Sequence, residues 1–334
     1  MKYFKNKRVL ITGGAGFIGS HLTTRLVELN AKVSVTVKYN SIIDCPRLVN
    51  VWSKIKVIEA DLRNIDSVNS LKKLNFDYIF HLAAYNHVGD SFLHVNENLD
   101  TNGKGTANLL ESCLEFGRFI YVSSSEVYGK QDDVPFHEEN TPCPISPYSV
   151  GKYSGELYCK MKYEVTGKAI ALLRPFNTFG PYQSEKAVIP ELITRCLLDK
   201  DIITTEGKQT REFNFVSNIV DGLIMASESE VAIGRLTNLG SGEEISIKDL
   251  VATIHEMTVS ESRLKIGELP YRPIEIWRMS ASNQLAMERF GWRPKLNFQQ
   301  GLEKTIAWFK NYVYQFNDPN ANLSKLAADQ KKTY

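Results

Sequence analysis

A tyrosine stands four residues before a lysine in Tyr148-Ser149-Val150-Gly151-Lys152. On a helix that spacing puts both side chains on one face. An ammonium there favours the phenolate and draws the Tyr148 phenol down from its ordinary value of about 10. Upstream lies Ser123-Ser124-Ser125-Glu126-Val127-Tyr128-Gly129. A hydroxyl of that run, Ser124, could share a substrate hydroxyl with Tyr148. Glu126 adds a carboxylate able to take a proton from carbon, which simple alcohol oxidation does not require. Tyr-x-x-x-Lys alone is weak, because solvated helix faces often carry it. Its weight comes from what precedes it.

Near the N-terminus the apolar run Val9-Leu10-Ile11-Thr12 opens into Gly13-Gly14-Ala15-Gly16-Phe17-Ile18-Gly19, then an amphipathic stretch to Leu29. Strand, glycine turn and helix in that order hold a dinucleotide pyrophosphate on backbone N–H groups at a helix N-terminus. Gly13, Gly16, Phe17, Ile18 and Gly19 are the expected cradle. The bland alternative is an ordinary glycine-rich turn; the run before it and the helical period after it weigh against that.

Elements must bring these two features together. Apolar runs at 33–37, 57–59, 78–82, 119–123 and 169–173 read as strands, with helical patterns at 17–29, 65–74, 95–116 and 147–165. Such alternation predicts an α/β fold, a doubly wound parallel sheet of Rossmann type, with chemistry at the carboxyl ends of strands. Residues 1–175 plus about 211–237 form the expected dinucleotide-binding domain, with 213–225 returning to the sheet. About 176–210 and 238–315 form a smaller substrate-binding lobe, and 316–334 a polar tail.

Composition narrows the class. The chain has 334 residues, a formal net charge of +2 and no basic block, which argues against a nucleic acid partner. Five scattered cysteines (Cys45, Cys113, Cys143, Cys159 and Cys196) have no metal spacing and read as reduced thiols. No metal is expected. No run approaches a signal peptide or a membrane span, so a soluble cytoplasmic protein without a membrane partner is expected.

Glycine turn, serine–glutamate run and Tyr-x-x-x-Lys together resemble the extended short-chain dehydrogenase/reductase family, the NAD-dependent epimerase/dehydratase group acting on nucleotide sugars. The resemblance covers most of the chain. It implies that Leu82, Ala83 and Ala84, in His81-Leu82-Ala83-Ala84, pass beside the nicotinamide, and that Asp61 and Leu62 contact the adenine. Thr101-Asn102-Gly103-Lys104-Gly105-Thr106 is similar to the family's central helix signature. Arg174-Pro175-Phe176-Asn177 leads toward the sugar, placing Asn177 against substrate. Lys152 should also bond the cofactor ribose. Arg211 and Arg278 match positions that bind the nucleotide diphosphate, a task that suits a guanidinium fork; each also reads as a solvated surface arginine. The two apolar helices, 95–116 and 147–165, with Tyr153, Leu157, Tyr158 and Met161, imply a homodimer.

Within that family the resemblance favours a nucleotide-sugar 4,6-dehydratase over a 4-epimerase or a UDP-glucuronate decarboxylase. Glu126 stands where dehydratases carry the base for carbon 5. The His87-Val88 segment and the loop Ser184-Glu185-Lys186-Ala187-Val188 resemble dehydratase sequences, placing His87 and Val188 near substrate. Ser125 occupies the position where dTDP-glucose dehydratases have an aspartate acid, as in the GDP-mannose type. The implied cycle is redox-neutral: a nucleotide-diphosphate hexose is oxidised at carbon 4, loses water across carbons 5 and 6, and regains the hydride at carbon 6 and a proton at carbon 5. Tyr148 and Ser124 serve the 4-hydroxyl. After the second strand, Lys38-Tyr39-Asn40-Ser41 offers no acid for a ribose, which favours NADP over NAD; Lys38 reads equally as a loop lysine. A non-catalytic binding protein is the alternative of another class. The intact Ser124, Glu126, Tyr148 and Lys152 argue against it.

Overall fold

A computed structural model describes residues 3–38, 46–112, 115–131, 133–271 and 275–317. Tyr39, Asn40, Ser41, Cys45, Cys113 and the tail beyond residue 317 lie outside them.

Seven parallel strands make the central sheet: β1 (Arg8–Thr12), β2 (Lys32–Val37), β3 (Lys56–Glu59), β4 (Phe76–His81), β5 (Phe116–Val122), β6 (Ile170–Pro175) and β7 (Leu236–Leu239). Their spatial order is β7-β6-β5-β4-β1-β2-β3. The chain winds outward in one direction from β1 and in the other from β4, so the switch point lies between those two strands. Period-2 alternation fills both faces. Val9, Ile11, Phe80 and Ile120 join one apolar core, while Leu10, Ile79, Phe119 and Tyr121 join the other. That is why the strands read as continuous apolar runs.

Helix α1 (Phe17–Glu28) follows the glycine turn. Helix α2 (Val95–Leu99) continues through one π-helical turn, Asp100–Lys104, into α3 (Gly105–Ser112). Helix α4 (Pro147–Thr166) carries Tyr148 and Lys152. It starts on a Ser146/Ser149 capping box with proline in its first turn, and stops at Gly167 in the left-handed region, φ 66°. Residues 213–225 do not return to the sheet. They hold the short strand Asn214–Phe215 and most of α5 (Val216–Glu228), because Val216, Ile219, Val220, Leu223 and Ile224 repeat at helical spacing. The returning strand is β7. Short two-stranded ribbons hold the smaller lobe, among them Thr210–Glu212 antiparallel to Glu244–Ser246. The long helix α6 (Phe298–Asn317) follows the lobe. Among the described residues no helix is long and apolar enough to cross a membrane.

Candidate active site

The carboxyl ends of β1 and β4 are joined almost without a gap. Gly13 has φ +69°, and a Cβ there would lie 2.8 Å from the Ala83 backbone. Only glycine lets the two strand ends approach so closely. A polar relay fixes the same junction. The Ala83 N–H donates to Thr12 Oγ1 at 3.2 Å, which is 2.6 Å from His81 Nδ1; His81 Nε2 is 2.9 Å from Thr106 Oγ1, which donates to the Asn102 carbonyl. Burial pushes His81 down to about 3, with Lys152 pushing the same way, so the ring is a neutral bridge. Asn102 in turn brackets the backbone of Tyr85, accepting from its N–H at 2.8 Å and donating to its carbonyl at 3.1 Å.

Beside this junction opens a cavity of about 710 Å³. Gly13, Gly16, Phe17, Ile18 and Gly19 line it, together with Leu82, Ala83 and Ala84. The first turn of α1 holds no acid and Gly16 gives no side-chain cap, so its N–H groups are open to an anion. Toward β2 and β3 the wall carries Lys38, Asp61 and Leu62. Asp61 receives Arg63 Nε at 2.9 Å, and that hydrogen bond holds its carboxyl below the usual range. Arg63 also reaches Glu97 at 2.9 Å, and Lys38 lies 3.7 Å from the same carboxylate.

Ser124, Ser125, Glu126, Tyr148, Lys152 and Asn177 gather at the other end. Ser124 ends the β5 loop and its Oγ accepts from the Glu126 N–H at 3.2 Å. The Ser123 hydroxyl on the same wall is buried and has no hydrogen-bond partner among the described residues. Lys152 does not hold the Tyr148 phenol down as its spacing predicts. Burial pushes Tyr148 up to about 12; the Ser124 hydroxyl pulls it down and Glu126 pushes it further up. The Lys152 ammonium instead donates to the Val122 carbonyl at 2.6 Å and sits 4.6 Å from the Tyr121 ring centre. Burial lowers it to about 8, opposed by the Glu156 carboxylate one turn on.

Glu156 extends the Tyr148–Lys152 stripe by another helical turn and was not singled out from sequence. Its two carboxylate oxygens accept Nε and Nη2 of Arg174, one edge of the guanidinium, at 2.8 and 2.6 Å, with both side chains buried. Arg174 also lies 4.3 Å from the ring centre of Tyr128, whose hydroxyl donates to Asn238 Oδ1 at 2.7 Å. The tyrosine helix, the serine loop and β7 are thereby pinned to one another.

Four sequence-selected residues stand off the cavity wall. His87 caps the short helix Val88–Ser91, its Nδ1 accepting from the Asp90 N–H at 3.0 Å, and Val88 takes the wall position instead. Val188 begins the helix Val188–Leu197 and is exposed. Arg211 pairs with Glu275 at 3.0 Å, and Arg278 pairs with Glu244. These two arginines share one patch, because the N–H groups of Thr210 and Glu212 donate to the carbonyls of Trp277 and Met279. Sequence reasoning also passed over Arg47, which lines the cavity near the glycine turn.

A family model described as GDP-mannose 4,6 dehydratase matches residues 10–305. A UDP-N-acetyl-alpha-D-glucosaminuronate decarboxylase of Bacillus cytotoxicus is 32% identical, over 91% of this chain and 98% of the relative. A dTDP-D-glucose 4,6-dehydratase of Bos taurus is 30% identical, over 95% and 92%. Among solved structures, a UDP-glucuronic acid 4-epimerase from Bacillus cereus, in complex with UDP-glucuronic acid and NAD, superposes with a TM-score of 0.82 at 28% identity, covering 91% of this chain and 99% of that one.

Proposed function

Because the chain belongs to the extended short-chain dehydrogenase/reductase family of NAD-dependent epimerases and dehydratases, we propose that it is an NAD(P)-dependent nucleotide-sugar 4,6-dehydratase. Its substrate is a nucleotide-diphosphate hexose and its product the 4-keto-6-deoxy sugar. One observation carries the choice of dehydration over epimerisation. Glu126 lies on the cavity wall within electrostatic reach of Tyr148. Exchange of alcohol and ketone at carbon 4 needs only a phenol and a hydroxyl, whereas removing the carbon 5 proton needs a base such as this carboxylate. UDP-glucuronate decarboxylases share the Ser-Glu-Val-Tyr-Gly element, so what such an enzyme must add is a cation for the glucuronate carboxylate. Of the described cations on the wall, Lys38 and Arg47 stand at the dinucleotide end and Lys152 is buried on a carbonyl, which leaves none to receive that group.

Tyr148 takes the proton of the sugar 4-hydroxyl while Ser124 hydrogen-bonds the same oxygen. When bound, an oxidised nicotinamide would supply the hydride acceptor and a positive ring charge. The 4-ketone acidifies carbon 5, and Glu126 removes its proton. Ser125 is too weak an acid to expel the 6-hydroxyl, so Glu126 passes its proton to that leaving water. Lys152 bonds the cofactor ribose. Ser125 and Asn177 hold the sugar, with His87 and Val188 on the approach to it, and Arg211 and Arg278 exchange their glutamate partners for the diphosphate. Lys38 favours NADP; its neighbour Glu97 opposes a 2′-phosphate, and competition between NADP and NAD measures the balance.

Turnover of a panel of nucleotide hexoses in deuterated water tests the assignment. The product should have lost one water and carry deuterium at carbon 5, and Glu126→Gln should stop water loss. An unlabelled product keeping its 6-hydroxyl overturns the dehydratase in favour of an epimerase. Carbon dioxide released from a nucleotide glucuronate would identify a decarboxylase.

A further inference from the structure

Among the described residues no acid pairs with Arg47. It stands on the 3₁₀ segment Pro46–Lys54, after β2, and lines the cavity beside Ala15 and Gly16. Its Nε–H donates to the Tyr182 carbonyl at 3.0 Å, and its Nη1 donates to the Ala15 carbonyl at 3.5 Å. Both acceptors are neutral. The other described cations on the wall have an acid close by: Lys38 has Glu97 at 3.7 Å, and Lys152 has Glu156 one helical turn on. A guanidinium has five N–H donors, so these two bonds leave most of the fork unengaged.

Its position decides which anion it meets. Ala15 belongs to the glycine turn, and the α1 N-terminus next to it has no acid in its first turn and no side-chain cap. His21, one turn into the same helix, adds no charge, because burial pushes it down to about 4. Lys38, not Arg47, stands at the end of β2 where a ribose phosphate would lie. The other anchor is firm: the Tyr182 ring packs against Trp308 of α6, with centroids 4.9 Å apart. The guanidinium is therefore held in place before any ligand arrives, which lowers the ordering cost of binding.

We propose that Arg47 is a side-chain ligand of the dinucleotide pyrophosphate, acting with the backbone N–H groups of the glycine turn. The inference rests on the dinucleotide reading above. Its test is direct binding, not turnover: NADH, ADP-ribose and adenosine are titrated into the full-length protein and into Arg47→Met and Arg47→Lys. Loss of a charge-assisted contact should weaken NADH and ADP-ribose binding about ten-fold or more in Arg47→Met. Adenosine, which has no phosphate, should bind unchanged, and Arg47→Lys should recover part of the loss. Unchanged NADH affinity in Arg47→Met overturns the proposal. So does an equal loss for adenosine, which would make Arg47 a prop for the shape of the cleft. Failure of the unmodified protein to bind either NADH or NADPH would instead overturn the dinucleotide reading itself.

Discussion

At the scale of single residues, the chemistry depends on a phenol that is harder to ionise than its sequence context suggests. Burial, not the lysine, dominates Tyr148, whose pKa stands at about 12. In the unliganded site it is therefore a protonated phenol rather than a standing phenolate. Tyr148→Phe should lower turnover by about 10² to 10⁴-fold, the usual loss for one general acid–base group. It should leave bound dinucleotide per chain unchanged, since the glycine turn and Lys152 remain. Near-normal turnover in the variant would remove Tyr148 from the mechanism. Most of this site was legible because its residues fall in short contiguous motifs. Arg47 was not: it acts through the carbonyls of Ala15 and Tyr182, one 32 residues before it in sequence and the other 135 after it, and no local pattern announces such a contact. Lys152 was misjudged for a related reason, since spacing gives a shared helix face but not the acceptor its ammonium finds across it.

At the scale of elements, the sheet was readable from alternation, while the lobe's stitching was not. The misplaced segment 213–225 shows the limit. A buried helix and a buried strand are both apolar, and only the 3-and-4 spacing of Val216, Ile219, Val220, Leu223 and Ile224 separates them. The element that organises the lobe is a single carboxylate. Glu212 Oε1 accepts from the Ser241 N–H at 3.1 Å and Asn214 Nδ2 at 2.8 Å, and Oε2 accepts from the N–H groups of Gly242 at 3.0 Å and Ala281 at 2.6 Å. It thus ties the ribbon of Arg211 to the segment of Arg278. Burial still pushes its carboxyl up to about 7, against an ordinary value of 4.5. The folded protein therefore binds the extra proton between those values. The associated stability is complete below about 4.5 and is lost as pH rises through about 7. Glu212→Gln cannot titrate, so the thermal midpoint of the variant should lack that falling component between about pH 5 and 7.5. It should also sit lower throughout, because an amide nitrogen faces two N–H donors, at about 1–3 kcal/mol for each one unsatisfied. Identical pH dependence in the two proteins would show that Glu212 does not titrate in this range.

At the scale of the whole molecule, one face carries an exposed apolar stripe. Helix α4 turns Tyr148 and Lys152 inward and exposes Val150, Leu157, Met161 and Val165 on its outer side, the last at 74%. Their spacing of seven, four and four residues keeps them on one stripe. Helix α2 lies against α4 where a Cβ on Gly151 would come within 3.0 Å of Asn98, and it adds exposed Val95 and Leu99. Contiguous apolar surface of this kind marks an interface, and a self-complementary pair of helices suits a two-fold axis. Light scattering at micromolar concentration should give twice the chain mass of 37.8 kDa. The double substitution Leu157→Glu and Met161→Glu places charges on the stripe and should return the mass to that of one chain. The charges touch nothing in the cavity, so any loss of turnover on separation must travel through α4 itself. That helix is the one whose inner face carries the phenol, so the separated chain should retain bound dinucleotide yet turn over more slowly. A monomeric mass for the unmodified protein would refute the two-fold assembly. A separated variant with full turnover would show that α4 needs no partner to hold Tyr148 in place.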